Sequence, residues 1–149
     1  KNICEETIFV AIHHPPVTPY PFMDKLKFEQ TPRDHLASLL NRYPNVQLMF
    51  AGHYHFGGRN RFGAAELLIG PSLVEHPHAY RIVEVQRHPQ PFGSAPAGNR
   101  GSVAYAWQSL ALHGDEDLAC AHGTPGVRSY GLMRLSYEHN GFMPLNLPC

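Results

Sequence analysis

The chain has 149 residues, 43% of them hydrophobic, which suffices for one cored domain, and its 12 basic and 12 acidic side chains cancel. That balance excludes the basic footprint of a nucleic-acid or anionic-membrane binder, and no apolar run approaches the roughly 20 residues of a spanning helix. Cys4, Cys120 and Cys149, odd in number, far apart and without a Cys-X-X-Cys pair, argue against a disulfide framework. No basic start with an apolar h-region marks a secretory signal, so the sequence assigns no compartment. The unusual feature is 11 histidines, whose charge rises as pH falls toward about 6; several of them read as ordinary loop residues.

The first element is the apolar run Ile8-Phe9-Val10-Ala11-Ile12, halted by His13-His14-Pro15-Pro16, which reads as a buried strand. Residues 17–30, rich in proline and aromatics (Pro19, Tyr20, Pro21, Phe22, Phe28), read either as a wall beside a cleft or as a packed surface loop. A helix follows, with Thr31 as its cap, Pro32 at the first helical position and Asp34 near the favourable end of the dipole. Leu36, Ala37, Leu39, Leu40 and Tyr43 recur at helical spacing and predict one buried face, and Pro44 ends the helix. Residues 46–51 are apolar and bounded by Pro44-Asn45 and Gly52, which predicts a second central strand. Strand, loop, helix and strand make a βαβ unit, so the two strands should be parallel and their histidine-bearing ends should share one sheet edge. Ligands of open α/β sheets bind beyond that edge.

Past His55 the period becomes that of a hairpin: residues 59–62 and 66–69 flank Gly63-Ala64, and residues 80–85 alternate as a further strand. The connection between them contains His76-Pro77-His78. Residues 87–100 hold three prolines and three glycine or serine residues without an apolar period and read as a linker or mobile loop. Residues 103–112 are apolar and fit strand or helix. Residues 129–138, the turn His139-Asn140-Gly141 and Phe142-Met143 suggest a final hairpin. His113-Gly114-Asp115-Glu116-Asp117 and Cys120-Ala121-His122 carry metal-capable side chains, but no spacing there fixes a geometry, and they read as solvated loops.

The chemistry concentrates at Gly52-His53-Tyr54-His55 and Ile12-His13-His14-Pro15-Pro16. Residues two apart project to one side, so His53 and His55 would both face a cleft while Tyr54 turns inward, and Gly52 permits a sharp turn and close approach. Two such imidazoles bracket metals spaced about 3.5–4 Å apart. A lone His-X-His is as often a surface or core feature as a ligand pair; one directly after an apolar strand, with His-X-Pro-Pro ending another, favours metal.

Residues 8–16 followed by residues 46–55 resemble the C-terminal half of a calcineurin-like metallophosphoesterase, over roughly residues 7–85. The resemblance implies an α/β fold with a mixed sheet, a two-sheet sandwich flanked by helices, of which this chain is the C-terminal portion. It makes His13 a ligand of one metal ion, joined there by His53, and gives His55 to a second ion. His14 has no ligand counterpart and is either substrate-facing or a solvated loop residue; His76 and His78 are either substrate-binding or part of an ordinary loop. The implied activity is hydrolysis of a phosphomonoester or phosphodiester at a dinuclear site. Two divalent or trivalent ions, manganese, iron or zinc in view of the imidazole ligands, polarise the phosphoryl oxygens and hold the attacking hydroxide.

In the family, Asp-X-His, a Gly-Asp motif with the bridging Asp, and Gly-Asn-His-Asp precede these two motifs. None of the three stands ahead of them here, and the chain opens on Lys1. The expectation is therefore a fragment, inactive by itself, whose partners are the phosphoester substrate and the N-terminal half of the same domain. The expected organisation is a half-domain over residues 1–86, a linker or mobile loop over 87–102, and a C-terminal extension over 103–149 whose strands pack on the same domain. The competing reading is a non-enzymatic chain that holds one ion through three imidazoles, as in a three-ligand zinc site, or serves as an interaction module.

Overall fold

A computed structural model describes residues 6–17, 29–55, 57–73, 79–87, 101–109 and 141–145. Among them the order is β1 (Ile8–Ala11), α1 (Gln30–Arg42), β2 (Val46–Ala51), β3 (Gly58–Phe62), β4 (Ala65–Ile69), β5 (Ala79–Arg87), β6 (Gly101–Ser109) and β7 (Gly141–Leu145). The described residues thus form a mixed α/β structure of two sheets and one helix, ordered β1-β2-β4-β3 and β5-β6-β7. No helix among them is long and apolar enough to cross a membrane.

The βαβ unit forms as its sequence predicts. β1 runs parallel to β2, from Ile8 opposite Val46 to Ala11 opposite Phe50, with one irregularity after Ile8. β2 in turn runs parallel to β4, Leu48 opposite Glu66 through Ala51 opposite Ile69. β3 and β4 are antiparallel about Gly63-Ala64, the turn expected there.

Helix α1 starts two residues before the proposed Thr31 cap would allow. Glu29 occupies the capping position without a side-chain cap bond. The first turn is held instead by Gln30, whose amide donates to both Asp34 oxygens (2.8 and 2.9 Å) and accepts from Arg33 Nη2 (2.8 Å). Pro32 falls inside that turn, where a missing N–H costs nothing because the first four helical N–H groups have no intrahelical acceptor. The buried stripe is also narrower than the periodicity predicts. Leu40 is buried and Leu36 and Ala37 pack on the core, whereas Leu39 and Tyr43 are 39% and 41% exposed. The helix rests on the hairpin turn through Leu40 and Ala37, and that contact is one turn wide.

β2 and β4 are covered on both faces, which is why they read as continuous apolar runs rather than alternating ones. Met49, Ala51, Leu67 and Ile69 point to the α1 side, where they meet Leu40, Phe62 and Tyr54. Leu48 and Leu68 point the other way and share a buried cluster with Val103, Tyr105, Met143 and Leu145 of the second sheet.

In that second sheet β6 is a strand throughout, paired with β5 from Ala79 opposite Ser109 to Arg87 opposite Gly101, and β7 pairs on its far side. Arg87, Gly101 and Ser102 are thus strand residues, and residues 88–100 and 129–138 lie outside the described ones. Gly141 stands opposite Tyr105, and a methyl there would collide with the tyrosine ring. The ring carries the Arg81 guanidinium 5.0 Å above it, and Arg81 Nη1 donates to the Gly58 carbonyl (3.1 Å). Alongside, Arg59 Nε donates to Glu66 Oε2 (3.0 Å), a bond that raises the Arg59 pKa above its ordinary value. The bond from Arg81 to Gly58 ties the β3 edge of the first sheet to β5 of the second.

Candidate metal centre

Because β1, β2 and β4 are mutually parallel neighbours, their carboxyl ends lie along one edge. The backbone ladder continues past the strands themselves. Ile12 N–H donates to the Phe50 carbonyl (2.9 Å), Gly52 N–H to the His13 carbonyl (3.0 Å) and Gly70 N–H to the Ala51 carbonyl (2.7 Å). His13 is therefore fixed against Gly52, next to His53. Pro15 and Pro16 are fully buried while His13 and His14 are exposed. Lacking N–H groups, the prolines bury without leaving a donor unsatisfied, and they anchor the turn that presents both imidazoles.

Beyond Gly52 the backbone is left-handed twice, at His53 (φ 65) and His55 (φ 61). Tyr54 N–H donates to the Gly52 carbonyl (2.8 Å), closing a three-residue turn with positive φ at its centre, the rarer and more strained γ-turn. Such backbone costs about 1–3 kcal/mol per residue and persists where the surroundings impose it. Here the anchor is Tyr54, 3% exposed in the helix-side core, with half-buried His53 and His55 on either side of it.

His53 Nδ1 lies 3.2 Å from His13 Nε2, so one of the two nitrogens carries the proton and the other accepts it. The His14 ring lies 4.0 Å from that of His53 and 4.8 Å from that of His13, centre to centre. One ring nitrogen from each of His13, His14 and His53 falls within 4.8 Å of the other two. Burial first, then repulsion from His14, His13 and His55, holds the His53 pKa below its ordinary value, favouring the neutral form that binds metals.

Of the residues singled out from the sequence, His13 and His53 are brought together as a ligand pair would be. His55 stands outside the group of three, though near enough to act electrostatically on His53. His14, which the family pattern leaves without a ligand part, stands inside it. With no counterpart in that pattern, His14 is set aside from the sequence; in the structure the chain bends at His13 and His14, and both rings lie beside that of His53. His76 and His78 lie outside the described residues; of the residues flanking them, buried Ser72 accepts through its carbonyl from Ala79 N–H (2.8 Å).

Among the described residues no other group of three or more His, Cys, Asp or Glu side chains gathers in this way, and this one contains no carboxylate. An all-imidazole set suits zinc, iron, nickel or copper and not the oxygen-seeking calcium or magnesium. It fits one ion; a pair needs further ligands to bridge it. No protein-family model matches the sequence, and no curated protein matches it either.

Proposed function

We propose that the chain supplies the histidine side of a metal-dependent phosphoesterase centre of the calcineurin-like type, acting on a phosphomonoester or phosphodiester. The observation that carries this reading is the His13–His53 pair, 3.2 Å apart at the carboxyl ends of adjacent parallel strands, where the resemblance requires two ligands of one ion. His55, on the same turn, is the ligand available to a second ion. The core shared by the two sheets, with α1 on the outer face of the first, supports the sandwich that such a centre sits on.

The protein's own part is positional. The extended β1–β2 ladder holds the His13 carbonyl against Gly52 and so sets the spacing of the two imidazoles. The Tyr54 anchor fixes the turn that carries His53, and partial burial keeps that imidazole neutral. When bound, the ions supply Lewis-acid polarisation of the phosphoryl oxygens. A dinuclear centre would in addition need bridging carboxylates, which the group His13, His14 and His53 does not contain.

The test is to read the coding sequence upstream of Lys1 and express the extended frame. The expected result is Asp-X-His, Gly-Asp and Gly-Asn-His-Asp in that order, with hydrolysis of an aryl phosphate or aryl phosphodiester in manganese or zinc that His53→Ala abolishes. The 149-residue chain alone should show little turnover. An upstream frame without those motifs, or turnover that His53→Ala leaves intact, would overturn the reading.

A further inference from the structure

We infer that His13, His14 and His53 form a site for a single zinc-class ion in which His14, and not His55, is the third ligand. The inference goes beyond the phosphoesterase reading and does not depend on it, since it needs no carboxylate and no substrate.

Tetrahedral zinc with Zn–N bonds of about 2.0–2.1 Å requires its nitrogen ligands to lie about 3.3 Å apart. His53 Nδ1 and His13 Nε2 already meet that requirement at 3.2 Å. One ring nitrogen from each histidine lies no more than 4.8 Å from the others, so the widest gap in the group has about 1.5 Å to close. His14 is exposed, and rotation about its side-chain bonds covers that distance without moving the backbone, which buried Pro15 and Pro16 hold in place.

The three donors arise from two separately anchored turns. One ends β1 against the second strand of the ladder, and the other is the γ-turn centred on His53. A strained turn directed by a buried tyrosine is a costly way to display a solvent histidine and a direct way to point a ligand at a partner. Exposure of His13 and His14 leaves the outer side of the group open, the arrangement of zinc sites with three protein ligands and one exchangeable position. Exclusively imidazole donors select zinc, and also copper or nickel, over magnesium and calcium.

The experiment is a zinc titration of the metal-free chain against a chromophoric chelator, with cobalt(II) absorption as a second readout. The expected result is one tight equivalent of zinc per chain. His13→Ala, His14→Ala and His53→Ala should each weaken it at least 10- to 100-fold, the range already seen for losing an outer-shell partner. His55→Ala should keep the wild-type affinity. Cobalt should give the intense visible bands of tetrahedral coordination in the wild type and in His55→Ala, and lose them in His14→Ala. Should His14→Ala fail the far-UV circular dichroism check for folding, His14→Gln, which keeps a polar side chain of similar reach, decides in its place. Wild-type affinity in the folded His14 variant would overturn the inference. So would a loss in His55→Ala equal to that in His53→Ala, the pattern of the family ligand set. Hydrolysis by an extended chain does not enter this measurement, so the two proposals fail separately.

Discussion

His53 is placed where its own protonation is opposed. Folding takes its ring partly out of water and sets His14, His13 and His55 around it, and all of these lower its pKa from the ordinary value near 6.5. Between that value and the lower folded one, the unfolded chain binds more protons than the folded chain, so stability rises with pH across the window. The contribution is fully present above about pH 6.5 and is lost as pH falls through the folded pKa. In the metal-free chain the urea midpoint should therefore drop between about pH 7 and pH 5, and His53→Gln should flatten the drop. An unchanged slope in the variant would mean that the imidazole is not held as described. Zinc should oppose the acid loss, because it binds the deprotonated ring.

The elements show how closely local sequence and local structure agree, and where they part. Gly63 has φ 58, and a methyl there would stand 2.9 Å from Leu40 Cβ and 3.2 Å from the Ala37 carbonyl, so the hairpin turn and α1 meet through it. Gly63→Ala should cost about 1–3 kcal/mol in urea unfolding. Gly58→Ala, whose methyl would find nothing within 4 Å, should cost far less. The hairpin, the helix and both strands of the βαβ unit were legible because turn residues and apolar period state them directly.

The helix start was not, because Thr31 has the capping chemistry while the Gln30, Arg33 and Asp34 side chains outcompete it. Nor does period alone fix how wide a contact is, which is why Leu39 and Tyr43 stay exposed. β6 is apolar enough for either element, and what makes it a strand is pairing with β5 and with β7, the latter far along the chain. For the site, the βαβ unit alone brings the two histidine-bearing strand ends to one edge, and the pairing of His13 with His53 is what the family resemblance implies. The membership of His14 was not legible, since the resemblance gives it no ligand part and its ring joins the group through the bend at His13 and His14.

At the scale of the molecule, the candidate centre depends on layering. The first sheet is held between α1 and the second sheet through the two buried clusters, and this fixes β1, β2 and β4 in order, with their carboxyl ends at one edge. Two turns rooted in a close-packed core keep the His13 and His53 nitrogens within a few tenths of an ångström of a ligating spacing, which mobile loops would not. The measurement that tests this most directly is anomalous diffraction at the zinc edge from crystals of the chain soaked in zinc. The result expected is one strong peak at the carboxyl edge of β1 and β2, bounded by His13, His14 and His53 at about 2.0–2.1 Å. Zinc bound only elsewhere on the chain, with the three imidazoles unliganded at that edge, would contradict it.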